Sequence, residues 1–127
     1  MKVTDFKLID SSVWIAYFLT GSFKELLEED EMFFLSVLSL FEIKGILIKK
    51  SVPLEKVATS LGFIKKRSLF IDVNAEISEM AAEVSIKHKI PTIDAMIYAS
   101  ALKNNATLIT LDNDFRNLEN VNIVKQL

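Results

Sequence analysis

The chain contains no cysteine. That excludes disulfides, zinc–thiolate centres, iron–sulfur clusters and thiol nucleophiles, and points to an intracellular, cytoplasmic protein. Glycine occurs three times, at isolated positions 21, 45 and 62, so no Gly-rich loop is available to cradle a phosphate. Proline occurs only at 53 and 91. The single histidine, His88, lies in the polar run Lys87-His88-Lys89. It reads as a solvated residue at a helix end, which leaves a Ser-His-Asp triad or a histidine zinc site without support. Long apolar runs are also missing. The most apolar stretch, residues 32–48, is interrupted by Glu42 and Lys44 and is too short and too charged to span a bilayer. Near the start, Asp5 and Lys7 fall where an export signal would need its apolar core, so none is expected. An excess of basic charge is absent too. The net charge is −2 and the isoelectric point about 5.4, which opposes binding through nucleic-acid phosphates. Acids gathered around a metal would account for part of that balance, because a bound divalent cation reverses the local sign.

What is present is core-forming material. Half of the 127 residues are hydrophobic and 25% are charged, enough for one compact domain over residues 1–127 and too apolar for disorder. There is no internal repeat or low-complexity run. Strand-like and helix-like segments alternate. Residues 6–10 read as a buried strand, and Ser11 and Ser12 are placed to cap a helix that runs to Gly21. Residues 23–29 suggest a short helix, 32–35 a strand, and 39–50 a helix. Pro53 suits the start of an amphipathic helix over 54–66. Residues 69–73 are β-rich, and Asn74 caps a helix over 75–89 that Pro91 ends. Thr92 would cap a further helix to Lys103, closed by Asn104 and Asn105. Strands follow at 107–111 and 121–124, with a turn at 112–117 between them. Strands separated by helices predict an α/β three-layer sandwich with a mainly parallel central sheet of about five strands.

Four acids stand in apolar company. Asp10 closes Leu8-Ile9, and Glu42 lies within Leu38-Ser39-Leu40-Phe41-Glu42-Ile43. Asp94 follows Thr92-Ile93, and Asp112 follows Leu108-Ile109-Thr110-Leu111. Singly, Asp10 and Asp94 would serve helix capping, and Asp112 and Asp114 would be turn residues. Glu42 has no such local explanation. Burying unpaired carboxylates is costly, and only a cation satisfies several at once without matching buried Lys or Arg. Asp10 and Asp112 sit at the C-terminal ends of parallel strands, the edge where open α/β sheets bind ligands. Asp94 lies in the first turn of its helix, where the dipole favours an anion. All-oxygen ligands suit Mg²⁺ or Mn²⁺, and such carboxylate–metal sites commonly hydrolyse phosphodiesters.

These segments also resemble a known family. Leu8-Ile9-Asp10-Ser11-Ser12-Val13-Trp14-Ile15, Leu40-Phe41-Glu42-Ile43, the run Pro91 to Ala101 around Asp94, and Leu108-Ile109-Thr110-Leu111-Asp112-Asn113-Asp114-Phe115 are similar to the four motifs of PIN domains, in order and spacing. Within the family the chain is most similar to the VapC toxins of toxin–antitoxin systems. The resemblance implies a PIN-like parallel sheet and endoribonuclease cleavage that leaves 5′-phosphate and 3′-hydroxyl ends. It also implies a VapB-type antitoxin partner and a homodimer. Catalysis and metal binding then fall to Asp10, Glu42, Asp94 and Asp112, with Asp10 and Asp94 as principal ligands of Mg²⁺ or Mn²⁺. Asp114, Thr110 and Ser11 support them. The hydroxyls of Thr110 or Ser11 would orient a water or the phosphate, or else serve as turn and cap groups.

For the RNA backbone the candidates are Lys44, Lys49, Lys65, Lys66, Arg67, Lys87 and Lys89, against a background in which most are solvated helix faces. Trp14 and Tyr98 read as core rather than stacking platforms. Three other readings compete. One is a non-catalytic PIN-like module holding a structural ion. Another is an RNA-processing or DNA-directed nuclease outside a toxin–antitoxin pair. The third is a phosphoacceptor domain of the receiver type, which would need Lys125 to act as its late lysine.

Overall fold

A computed structural model describes residues 6–126. Residues 1–5, part of the stretch on which the expectation of no export signal rests, lie outside the described residues. Five strands form one sheet: β1 Phe6–Ile9, β2 Phe33–Ser36, β3 Ser68–Ile71, β4 Ala106–Thr110 and β5 Val121–Ile123. Their order is β3-β2-β1-β4-β5 and every pairing is parallel. Six helices link them: α1 Ser11–Thr20, α2 Lys24–Leu27, α3 Val37–Lys49, α4 Leu54–Arg67, α5 Ala75–His88 and α6 Thr92–Lys103. The expected three-layer α/β sandwich is therefore what forms. No helix among the described residues is long and apolar enough to cross a membrane.

The period-2 alternation of the strands divides the core. Leu8 and Leu108 face α5 and α6 in a cluster with Ala81, Ile97, Tyr98 and Phe115. Their neighbours Ile9 and Ile109 face the other way, into a cluster with Val13, Trp14, Ile43, Leu47 and Ile64 from α1, α3 and α4. Trp14 is fully buried there among Tyr17, Phe18, Phe33 and Phe63. Tyr98 is buried too, its hydroxyl donating to the Glu119 carbonyl at 2.8 Å. Both aromatic residues belong to the core, as their sequence context suggested.

Several helix starts differ from the sequence reading. The third helix begins at Val37, not Ser39, because Ser36 at the end of β2 accepts from the Leu38 amide and caps it. Asn74 does cap α5, through the Ile77 amide. Thr92, however, is already the first helical residue of α6; Pro91 holds the cap position, with no side-chain bond. Ser11 is likewise inside α1, preceded by Asp10. The segment expected at 23–29 is helical only over Lys24–Leu27, since Phe23 adopts φ 65°.

The strand order has a consequence for function. Successive connections leave β1 toward β2 on one side and return to β4 on the other, so β1 and β4 flank the point where the winding reverses. Crevices in parallel sheets open at that point, beyond the carboxyl ends of the strands.

Candidate active site

Asp10 and Asp112 follow the last residues of β1 and β4 at this crevice, one directly and one after Leu111. The Asp10 amide donates to the Ile109 carbonyl at 2.9 Å, which ties the end of β1 to β4. Its side chain is 7% exposed. Oδ2 accepts from Ser12 Oγ and from Thr110 Oγ1, each at 2.8 Å. Each hydroxyl in turn accepts from a backbone amide beyond β4: Leu111 donates to Ser12 Oγ at 3.1 Å and Asp112 to Thr110 Oγ1 at 3.0 Å. The two hydroxyls therefore relay bonds from the β4 terminus to the Asp10 carboxylate, and Thr110 is completely buried while doing so.

Ser11 and Ser12 were both read as caps, but neither plays that part. Ser11 Oγ donates to Glu42 Oε1 at 3.1 Å, holding a carboxylate that α3 delivers from its second turn. Ser12 serves Asp10. Nothing local discloses the role of Ser12, because its setting is that of an ordinary helix start and the amide that donates to it, Leu111, lies 99 positions away in sequence. Thr110 likewise bonds a carboxylate, that of Asp10.

The first turn of α6 brings in Asp94. Carboxylate oxygens of Asp94, Asp112 and Asp114 all lie within 4.8 Å of one another. In the fourth motif the two acids divide their tasks. Asp112 Oδ1 accepts from the Asp114 amide at 2.8 Å and so caps the short 3₁₀ turn Asn113–Phe115. That turn swings Asp114 back toward Asp94. Both acids of the motif are thus at the cluster, with Asp10 and Glu42 behind it.

The electrostatics follow from this crowding. Burial raises the Asp94 carboxyl from 3.8 to about 6, and the charges of Asp112, Asp10, Asp114 and Glu42 push in the same direction. Burial also raises Asp10; the bonds from Ser12, Thr110 and the Ser11 backbone counter this, and the Asp112 charge adds to it. Glu42 is raised by burial and by Asp10, against the Ser11 bond. Among the described residues, no Lys or Arg forms an ion pair with any of the five acids. Two ligand oxygens of a small hard cation lie at most about 4.2 Å apart at bonds of about 2.1 Å, so the spacing of the three aspartates is near what such an ion needs. Oxygen-only donors, mutual repulsion and no protein cation together fit a divalent metal.

The chain matches the PIN domain over residues 7–121. It belongs to the PIN domain family. A search of curated protein sequences finds no significant match. Among solved structures, this PIN domain is similar to a toxin–antitoxin complex from Klebsiella pneumoniae (TM-score 0.77, 21% identity, 95% of this chain and 99% of that one). It is similar to a VapBC complex from Rickettsia felis bound to a promoter DNA fragment (TM-score 0.76, 20% identity, 96% and 99%). It also resembles a VapC toxin of Mycobacterium tuberculosis that cleaves the sarcin-ricin loop (TM-score 0.75, 20% identity, 94% and 99%). At these identities the likeness is one of fold.

Proposed function

We propose that this PIN domain is a metal-dependent endoribonuclease and the toxin of a toxin–antitoxin pair. The observation that carries the nuclease reading is the meeting of Asp94, Asp112 and Asp114 within 4.8 Å, backed by Asp10 and Glu42, at the winding-reversal crevice. The aspartates would hold Mg²⁺ or Mn²⁺, with Asp10 and Glu42 ligating directly or through water. A divalent ion supplies Lewis-acid polarisation of the phosphate and a more acidic water at neutral pH. The chain's own residues set the stage for it. Thr110 and Ser12 fix the Asp10 carboxylate, Ser11 fixes Glu42, and the 3₁₀ turn aims Asp114. Cleavage would be hydrolytic, leaving 5′-phosphate and 3′-hydroxyl ends.

The toxin role is favoured by the company the fold keeps, since two of the similar structures are toxin–antitoxin complexes. A VapB-type antitoxin is the expected partner. Phe41, next to Glu42, is 82% exposed, and a segment lying over the acidic edge would cover it. A homodimer is expected, and light scattering on the isolated chain tests it. For the enzyme, purified protein is incubated with structured and unstructured RNA in Mg²⁺, in Mn²⁺ and in EDTA, beside Asp94→Asn. Cleavage with either metal, abolished by EDTA and by the substitution, is the expected result. Cleavage indifferent to both would remove the metal mechanism.

A further inference from the structure

Beside the acidic cluster lies a second cleft, of about 640 Å³. Two separate stretches of chain wall it. One is the end of α5 and the link to α6, which bring Lys87, His88, Lys89 and Pro91; the other is the loop after β4, which brings Asp114, Arg116 and Asn117. Asp114 belongs to both sites, so the cleft adjoins the aspartate cluster at that residue. Three full positive charges on one cleft is a local concentration in a chain whose net charge is −2. Among the described residues none of the three is ion-paired. Lys87 in the last turn of α5 also answers the helix dipole. That explanation does not reach Arg116, which arrives from a different element, or Lys89, which lies past the helix end at φ 56°.

The structure also separates these cations from three of the others that the sequence offered, Arg67, Lys66 and Lys49. Arg67 donates to the Glu29 carbonyl at 2.9 Å and lies over the Phe63 ring, committed to packing. Lys66 shares its surface with Asp30 and Glu31. Lys49 is two turns beyond Glu42 on α3, about 10 Å further along an axis that starts at the acidic edge and leaves it.

We infer that the Lys87–Lys89–Arg116 cleft is the track for the substrate strand, binding RNA phosphates that flank the bond placed at Asp94, Asp112 and Asp114. The inference rests on the nuclease reading above and adds to it the direction in which RNA leaves the site. A polyanion lying in the cleft meets cations along its length and the aspartate cluster at its end, where a bound divalent ion supplies the positive charge. Asn113 and Asn117 add neutral hydrogen-bonding groups at the same wall.

The test uses Lys89→Asn combined with Arg116→Gln. Asparagine tolerates the left-handed backbone at position 89, so the variant loses charge without losing the turn. Binding of a short fluorescent single-stranded RNA is followed by anisotropy in EDTA across a salt series, and its cleavage is followed with Mn²⁺. Removing two phosphate contacts should weaken binding roughly tenfold and lower the slope of log affinity against log salt by about 1.4. Cleavage at low RNA concentration should fall in parallel. Lys65→Ala with Lys66→Ala should change neither, and Lys89→Arg with Arg116→Lys should restore both. If the wild type cleaves while the double variant binds with the same affinity and salt slope, the track is refuted and the nuclease stands. If the wild type binds RNA through the cleft yet never cleaves, the nuclease reading fails and the binding assignment survives. Tighter binding of an oligoglutamate of matched charge, with cleavage unaffected by the double variant, overturns the inference in favour of an acidic protein segment.

Discussion

Asp94 is the residue on which the site's repulsion converges. Its carboxyl is raised to about 6, from 3.8, so the folded protein holds that proton more tightly than the unfolded chain does. The sign follows. Above about 6 the ionised carboxylate opposes folding, and as pH falls through 6 toward 4 the metal-free protein gains stability relative to neutral pH. In EDTA, thermal melts should therefore show a higher Tm near pH 5 than near pH 7, until other carboxylates begin to protonate at lower pH. Asp94→Asn should flatten that rise and increase the neutral-pH Tm by roughly 2–4 °C, a modest figure because the group is partly solvated. A Tm that falls steadily from pH 7 to 5 in the wild type would show that burial and the neighbouring acids do not hold a proton on Asp94.

Thr110 makes a complementary case. Its hydroxyl both donates to Asp10 and accepts from the Asp112 amide, in a place with no exposure to water. Thr110→Val keeps the shape and removes both bonds, leaving the Asp112 amide without its partner and Asp10 Oδ2 with Ser12 as its remaining hydroxyl donor. The expected cost is about 1–3 kcal/mol by urea denaturation. RNA cleavage should drop roughly 10- to 100-fold, as when a group orienting a ligand is lost. Thr110→Ser should recover most of the activity. Equal rates for all three proteins would mean that the relay to Asp10 is ornamental to catalysis.

Among the elements, α3 and α6 bring acids to the edge, and the start of each helix decides where its acid points. Ser36 caps α3 from the last position of β2 and is fully buried. Ser36→Ala should cost about 1 kcal/mol, seen as a lower midpoint in denaturant with an unchanged slope. The strands do the same work by register. Leu8 pairs with Leu108 and Ile9 with Ile109, so Asp10 and Thr110 arrive at one level of the sheet. Sequence periodicity revealed these elements readily, because alternation and amphipathic spacing are local. Their first residues were less legible. Ser11, Ser12 and Thr92 all look like caps, yet whether a hydroxyl bonds the next turn or a distant carboxylate depends on what the fold places beside it.

For the molecule as a whole, the charge gathered at one edge would couple folding to the binding of a divalent ion. A divalent ion that binds the folded cluster alone stabilises it by about 2.7 kcal/mol at a hundred times its dissociation constant. Mg²⁺ or Mn²⁺ should therefore raise the Tm in a concentration-dependent way, and more at pH 7 than at pH 5, where protons compete. Asp94→Asn should remove most of that gain. Calorimetric scans across a metal series check it; no change in Tm with either ion would separate the acidic cluster from metal binding.

By itself the sequence determined the class of fold and the acids worth watching. Apolar strands, amphipathic helices and four carboxylates in apolar surroundings are all features that neighbouring residues disclose. Only the tertiary structure decided how the acids group: Asp114 joins Asp94 and Asp112, while Asp10 is held by Ser12 and Thr110. It also placed Lys87, Lys89 and Arg116 in one cleft with Asp114. The physical reason is range. Hydrogen bonds and close carboxylate pairs act over a few ångströms, and here they join residues about a hundred positions apart, a distance that only the pairing of β1 with β4 closes.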